Sequence, residues 1–290
     1  MKAVRFVIPK TDGNSFRLQI DKGGCFYDTI HYHPEHQITL ICKGEGTSFI
    51  GNRVERFQPG DVFLIGKNVP HVTKCDEIYY TSPEQNNVLS ISLFFKDETF
   101  GKQFFEIPEM VHIKHLLNLA SQGIKINEPD RNEVKKLIEQ CTDVDSFQRF
   151  QLLMSILDIF ARSKTSRTLS SISYHSPTRE SDNERINIIF NFLSKNFRNE
   201  INLNQLSEVA NMTTNSFCRY FKQRTGKSYS GFLNDLRIEY AGKLIAGSTD
   251  SFGNIAALCG YNSLSYFNRQ FKRITGITPL QYRKKYRSGI

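Results

Sequence analysis

The chain of 290 residues is long enough for two domains, and its 23 phenylalanines and 39% hydrophobic content can fill real cores, which excludes a wholly disordered protein. The net charge of +9 is confined to the last third. Residues 181–290 contain 16 Lys and Arg against 7 Asp and Glu, whereas residues 1–180 contain 22 of each. A basic domain joined to a neutral one is typical of a protein that binds a polyanion through one part only.

No run of 18 apolar residues occurs, and the first residues lack the apolar stretch of a signal peptide. The six cysteines are scattered without a CxxC pair, a pattern that fits neither a disulfide framework nor a zinc site. We therefore expect a cytoplasmic, reduced protein with no membrane partner.

The first part of the chain predicts β-structure. Short apolar or alternating runs, separated by Gly, Pro and Asn, cover residues 4–8, 37–42, 61–65 and 88–95. Gly51-Asn52 predicts a two-residue hairpin turn between residues 48–50 and 53–55. Many short, evenly spaced strands predict an antiparallel β-barrel or jelly roll, and the helices that follow make the whole chain α+β.

After about residue 101 the hydrophobic period lengthens to that of a helix. Phe147, Phe150, Leu153, Leu157 and Phe160 form one apolar stripe. The stripe either packs on the chain's own barrel or forms a dimer seam, and we expect a homodimer through residues 145–162. The Ser- and Thr-rich residues 163–181 predict a linker between a domain of residues 1–162 and a domain of residues 182–290.

One sequence occurs twice near the end of the chain. Residues 217–226 are FCRYFKQRTG and residues 267–276 are FNRQFKRITG, so six of the ten residues recur fifty positions later. Two copies are too few for a solenoid. They suit a protein that contacts two points on one long, charged partner.

Each copy predicts a helix-turn-helix unit. In the first, a helix over residues 203–210 is followed by a tight turn at 211–213 and a second helix over 214–224, capped by Thr213 and ended by Gly226. The second copy repeats this over residues 255–259 and 264–274, with a turn one residue longer. A helix over residues 230–246, roughly 25 Å long, would hold the two recognition helices about 34 Å apart, one turn of B-DNA.

The outward positions of these recognition helices are candidate DNA contacts. Positions near a helix N-terminus approach base edges, and arginine pairs best with guanine O6 and N7. The two lysines lie further along and are expected to contact phosphate. The two arginines have an alternative, pairing with Glu208, Asp235 or Glu239 of their own domain. The candidates are Asn215, Ser216, Cys218, Arg219, Lys222, Leu264, Ser265, Asn268, Arg269 and Lys272.

The segment from residue 186 to 287 resembles the AraC/XylS family of bacterial transcription regulators. The resemblance lies in AALCGY at 256–261, SYF at 265–267, GITP at 276–279 and the pair Tyr282-Arg283. It implies seven helices, two helix-turn-helix subdomains and control of transcription initiation, with double-stranded DNA and RNA polymerase as partners. The first recognition helix carries Asn215 and Cys218 where many members have larger residues, so we expect its sequence preference to be modest.

The run HYHPEHQ at residues 31–37, with Gly60-Asp61 and Pro70-His71, is similar to the two motifs of a cupin barrel. Metal-binding cupins have a Glu four residues after the second His of HxH. Here Gln37 takes that place, and an amide is a weaker metal ligand than a carboxylate. Three interpretations remain open: a metal site, a pocket for a polar metabolite, or structural histidines. The candidate ligand-binding residues are His31, His33, Gln37 and His71, and we assign no metal or cofactor.

These expectations combine into one hypothesis. The protein is a transcription activator and not an enzyme; its barrel binds a small effector, and the resemblance to sensory cupins suggests a sugar or polyol. One alternative is a cupin-type metal-dependent enzyme, an isomerase or dioxygenase, fused to a DNA-binding domain. Another is a DNA-binding module whose barrel serves only assembly.

Overall fold

The structure, a computed structural model, describes residues 4–5, 8, 14–82, 87–170 and 180–287. Contacts divide the chain into two compact units between residues 180 and 181. The described part of the N-terminal unit holds two β-sheets with helices packed on one of them, and the C-terminal unit is helical. Among the described residues, no helix combines the length and the apolar composition that crossing a bilayer requires.

The N-terminal unit contains eleven strands among its described residues. They are β1 Val4–Arg5, β2 Arg17–Gly23, β3 His31–Tyr32, β4 His36–Lys43, β5 Gly46–Ile50, β6 Arg53–Phe57, β7 Val62–Ile65, β8 His71–Cys75, β9 Val88–Phe95, β10 Ile124–Ile126 and β11 Arg167–Thr168.

One sheet has the order β1-β3-β8-β5-β6 and the other β11-β10-β7-β4-β9-β2. All neighbours are antiparallel except β1 and β3. The predicted hairpin at Gly51-Asn52 is confirmed, since Ile50 pairs with Arg53. Residues of both sheets, including Ile50, Phe57, Ile41 and Phe63, share one buried cluster. The sheets therefore face each other as a jelly roll, which in the described residues is not closed into the predicted barrel.

The α-helices of the N-terminal unit are α1 Glu77–Thr81, α2 Val111–Leu119, α3 Asp130–Gln140 and α4 Ser146–Arg162. The last three cover the other face of the six-stranded sheet, whereas Tyr79 of α1 packs against the cluster between the sheets. The stripe on α4 is intramolecular: Leu153, Leu157 and Phe160 are buried with residues of β4 and β7, and Phe150 packs against them. Only Phe147, 69% exposed, lies outside this core. The stripe is therefore not available as the dimer seam.

Part of the predicted linker packs against the N-terminal unit. Strand β11 pairs with β10, and Leu169 is buried. The Ser170 hydroxyl donates to Asn52 Oδ1 at 2.8 Å, and Arg167 forms an ion pair with Glu55. Ser170 thus satisfies a buried polar partner, a use of serine that composition does not distinguish from a linker. Residues 171–179 of the predicted linker lie outside the described residues.

The C-terminal unit has seven helices among its described residues, as the family resemblance implies. They are α5 Glu180–Asn196, α6 Leu203–Val209, α7 Thr214–Thr225, α8 Tyr229–Gly247, α9 Phe252–Leu258, α10 Leu264–Thr275 and α11 Pro279–Arg287. Helices α6–α7 and α9–α10 are the two predicted helix-turn-helix units. Their connecting turns span residues 210–213 and 259–263, so the second is longer by one residue, as predicted.

The repeat extends beyond these two ten-residue segments. Helices α8 and α11 begin fifty residues apart, and each brings an aromatic ring onto its unit's recognition helix. Phe232 lies edge-on to Phe221 at 5.5 Å, and Tyr282 lies edge-on to Phe271 at 5.3 Å. Such edge-to-face pairs are favoured by the ring quadrupole. The same three-helix unit is therefore built twice.

Candidate DNA-binding surface and ligand pocket

Each recognition helix is fixed at both ends by local chemistry. The N-cap hydroxyls of Thr213 and Ser263 accept from the backbone N–H three residues on, both at 3.3 Å. Gly226 and Gly276 end the helices in the left-handed conformation, with φ of 67° and 80°. The repeated Thr before each glycine bonds its hydroxyl to the carbonyl one turn back at 2.8 Å. The matching residues of the repeat thus specify matching helix boundaries.

The inner face of each recognition helix consists of buried phenylalanine. Phe217, Phe221, Phe267 and Phe271 are each 0% exposed. Burial of this face leaves the opposite face for a partner, and the predicted contact residues lie on it. All are exposed except Ser216, which is half-buried: Asn215, Cys218, Arg219, Lys222, Leu264, Ser265, Asn268, Arg269 and Lys272.

The alternative role for the two arginines, pairing inside their own domain, is not found. In the part of the chain that the structure describes, neither Arg219 nor Arg269 forms an ion pair. Asp235, one of the acidic candidates, instead lies 2.6 Å from the Nζ of Lys227. Both guanidinium groups are therefore available to bases or phosphates.

In the N-terminal unit the structure brings the four candidate ligand-binding residues together. His33 Nε2 and His71 Nε2 each lie 3.0 Å from Oε1 of Gln37. The rings of His31 and His71 are 4.3 Å apart. They meet because β3 pairs with β8 at His31 and His71, while β4 carries Gln37 on the facing sheet.

The histidines are held in the neutral form. Burial lowers the pKa of His31 to about 4, lowers the pKa of His33 and places the pKa of His71 well below its ordinary value. Each Nδ1–H donates to a backbone carbonyl, those of Thr29, Glu35 and Val69, at 2.8 to 3.0 Å. In a neutral imidazole the Nε2 atom then carries the lone pair.

This donor set fits a transition-metal ion of the kind that metal-binding cupins hold. One ligand atom from each histidine lies within 4.8 Å of the others. The backbone carbonyls orient the rings by accepting from Nδ1–H, as the hydrogen-bond partners of metal-bound histidines do. An amide replaces the carboxylate at the fourth position, which weakens the set.

The same side chains also satisfy one another without an ion. If the amide nitrogen of Gln37 faces the histidines, its two N–H groups donate to His33 Nε2 and His71 Nε2. The amide oxygen then accepts from the Thr39 hydroxyl at 2.7 Å, and Thr39 in turn contacts the Ser92 hydroxyl at 2.9 Å. Gln37 matches this network better than a carboxylate, because a carboxylate has no hydrogen to donate.

A cavity of about 240 Å³ lies beside this network. His31, Gln37 and His71 line it, whereas His33 is 1% exposed and lies behind them. Apolar side chains, among them Phe26 and Phe94, form part of the wall. Another part is polar because alternate residues of adjacent strands face inwards. These residues, which the sequence analysis did not single out, are Gln19, Asp21, Thr39, Thr73, Ser90 and Ser92.

Register explains why these residues form one surface. Gln19 pairs with Ser92, and Ser92 with Thr39, so a row of polar side chains crosses β2, β9 and β4. Asp21 and Ser90 form the next row. The sequence signal is an alternation with a period of two: polar residues stand at positions 19 and 21, at 37 and 39, and at 90 and 92. It becomes informative only when the strand pairing is known.

The fold and these two sites define a DNA-binding protein with an N-terminal cupin domain. A family described as "Helix-turn-helix domain" matches residues 206–285, and one described as "Cupin domain" matches residues 17–77. The HTH-type transcriptional activator RhaR of Mannheimia succiniciproducens is 24% identical over 270 residues, covering 89% of this chain and 87% of that protein. The combination of a cupin domain with this helix-turn-helix domain is the architecture of AraC-type regulators, and the chain is a DNA-binding regulator.

Other similarities are to a longer regulator and to solved structures. An HTH-type transcriptional regulator of Staphylococcus aureus is 24% identical over 254 residues, and this chain spans only 31% of its length. Among solved structures, the DNA-binding domain of AdpA in complex with a target DNA is 26% identical, covering 34% of this chain and 90% of that one, with a TM-score of 0.33. ToxT of Vibrio cholerae is 14% identical, covering 95% of this chain and 99% of that one, with a TM-score of 0.38.

Proposed function

We propose that this regulator activates transcription in response to a small polar effector bound in the cupin cavity. The observation that carries the proposal is the wall of that cavity, where neutral imidazoles, amides and hydroxyls face inwards from the five strands β2, β3, β4, β8 and β9. Such groups exchange hydrogen bonds with the hydroxyls of a sugar or polyol. The name of the relative RhaR, a transcriptional activator, supports activation as the sign of control.

The regulatory step is a shift between two states. An effector changes DNA binding only if its affinity differs between the DNA-competent state and the other state. We propose that the protein acts as a homodimer that contacts RNA polymerase, and that the effector favours one dimer arrangement. Because α4 buries its apolar stripe in its own domain, the dimer contact has to use another surface of the N-terminal unit.

On DNA, we propose that α7 and α10 enter successive major grooves. The exposed Arg219 and Arg269 contact base edges, and the exposed Lys222 and Lys272 contact phosphates. Arg269→Ala is expected to cost about 1–3 kcal/mol at a cognate site and to relax the preference at one base pair. An equal loss on every sequence would make Arg269 a phosphate contact instead.

Thermal unfolding of the full chain against a panel of sugars and polyols tests the effector site. A compound that binds only the folded state raises the unfolding temperature, and the rise grows with the logarithm of its concentration once that concentration exceeds the dissociation constant. Thr39→Val removes one hydroxyl from the cavity wall at nearly constant volume and is expected to abolish the shift. Thr168→Val, on the exposed strand β11, is the matched control and should keep it. A shift that survives Thr39→Val, or no shift with any compound, contradicts the proposed site.

A metal-dependent activity is the second candidate, favoured by the convergence of three histidine nitrogens. Elemental analysis of the purified chain decides between the two. Fe, Mn or Zn near one equivalent, lost in His71→Asn, would support this candidate. The relatives named above are transcriptional regulators, which favours the effector proposal.

A further inference from the structure

The two recognition helices differ at one position that concerns the arginine each presents. Tyr266 and Ser216 occupy equivalent places, since each is the third residue of its helix and its backbone N–H is bonded by the N-cap hydroxyl. Arg269 and Arg219 follow three residues later. Side chains three apart on a helix are neighbours on one face. The copies therefore place a tyrosine beside one arginine and a serine beside the other.

The tyrosine contacts its arginine. The guanidinium carbon of Arg269 lies 5.2 Å from the ring centroid of Tyr266, within the range of a cation–π interaction. In the described residues no aromatic ring stands in this relation to Arg219. The Arg269 side chain is thus partly restrained before any DNA is bound, whereas Arg219 lacks this restraint.

The tyrosine ring is itself held by the body of the domain. Its hydroxyl accepts from Nδ2 of Asn234 at 3.2 Å, and Asn234 is a 9% exposed residue of α8. The Oδ1 of Asn234 accepts from the hydroxyl of Tyr261 at 2.8 Å, and the rings of Tyr261 and Tyr266 are 5.9 Å apart. Hydrogen bond and ring contact together connect Tyr266 to both α8 and the helix-turn-helix turn.

We infer that Tyr266 is a positioning residue for base recognition. It holds the Arg269 guanidinium in place, so that less side-chain entropy is lost when Arg269 meets a base. The second recognition helix therefore discriminates between bases more strongly than the first. The inference rests on the proposed function, in which Arg269 contacts a base edge.

The test uses the full chain and duplex DNA. Selection of bound duplexes from a random pool defines a preferred DNA site. The affinity for each single-base variant of that site is then measured with five proteins: wild type, Tyr266→Ser, Tyr266→Phe, Arg269→Ala and the double variant Tyr266→Ser/Arg269→Ala. A cation–π contact of about 0.5–1 kcal/mol corresponds to about a two- to fivefold loss of discrimination in Tyr266→Ser, at the base pair that Arg269→Ala relaxes. Tyr266→Phe keeps the ring and should lie nearer wild type.

The double variant separates positioning from direct contact. If Tyr266 acts through Arg269, adding Tyr266→Ser to Arg269→Ala changes discrimination no further, and the salt dependence of Tyr266→Ser equals that of wild type. A further loss in the double variant, or an equal loss on all sequences from Tyr266→Ser alone, overturns the inference. An equal loss on all sequences from Arg269→Ala overturns the proposed base contact as well, which distinguishes the two failures.

The first recognition helix provides an independent arm if Tyr266→Ser fails to fold. Ser216→Tyr places a ring beside Arg219 on the half-exposed side of α7. We expect it to sharpen base preference about two- to fivefold at the base pair contacted by Arg219. Unchanged preference there would contradict the role given to the ring.

Discussion

The neutral state of the pocket histidines makes the N-terminal domain sensitive to acid. In the unfolded chain His31 has its ordinary pKa of 6.5 and binds a proton below that pH. Burial lowers the pKa of His31 in the folded domain to about 4. Between these values the unfolded chain binds more protons. The free energy of unfolding is therefore constant above about pH 6.5 and falls as the pH falls towards 4.

The size of the effect follows from the shift. One such group contributes about 1.4 kcal/mol per pH unit, so His31 alone accounts for about 2 kcal/mol between pH 6.5 and pH 5. The lowered pKa values of His33 and His71 act in the same direction. The pKa of Asp97 is lowered by His36 and Lys67, so Asp97 affects the free energy of unfolding only at a pH below the range from 6.5 to 5.

Hydrogen exchange of the β4 amides in the full chain measures this free energy for the N-terminal domain. Rates are corrected for their intrinsic pH dependence, and the protein is treated with a chelator so that a bound metal cannot keep the histidines neutral. His31→Asn removes one titrating group and should reduce the slope by about 1.4 kcal/mol per pH unit. A flat profile between pH 6.5 and 5, or equal slopes for wild type and His31→Asn, would refute the reasoning.

Three further predictions concern the C-terminal unit. DNA binding by the full chain should weaken steeply with added salt, with the slope reduced by about one in Lys272→Ala; salt-independent binding would exclude phosphate contacts. Gly260→Ala should destabilise more than Gly276→Ala in thermal unfolding, because both have positive φ but only the first would place a Cβ 2.5 Å from a backbone carbonyl oxygen. Thr225→Val should cost about 1–3 kcal/mol and more than Thr275→Val. Each hydroxyl contacts two carbonyls, but only Thr225 is fully buried; an equal cost would contradict this.

The sequence predicts the helix boundaries of the C-terminal unit well, because the signals that set them are local. Thr213, Gly226 and the buried phenylalanines each act within one helix, so the boundaries of α7 and α10 follow from the sequence nearly residue by residue. The role of α8 is less local, because its hydrophobic positions face different partners along its length. The distance between the recognition helices remains a prediction.

The N-terminal unit is less predictable because its strands pair across long stretches of chain. β2 was missed, since Arg17–Gly23 lacks an apolar run and has an exposed isoleucine. β11 was assigned to a linker, since its two residues gain their structure from β10 and from the buried Glu55. The histidine cluster is predictable because the spacing of the motif residues can be recognised in the sequence alone. The rows of hydroxyl side chains in the cavity are not predictable from the sequence, because each row is formed by residues of different, paired strands.

Helix α8 gives a physical reason to expect that the two helix-turn-helix units act together. Near its start, Phe232 stacks on Phe190 of α5 at 4.9 Å and belongs to the first unit. Further along, Ile238, Ala241 and Ile245 are buried in one cluster with Phe267 and Phe271 of the second unit. One helix thus belongs to both cores, and rotating one unit against the other would expose apolar surface at about 25 cal/mol per Å². Binding at one groove therefore constrains where the other recognition helix meets the DNA.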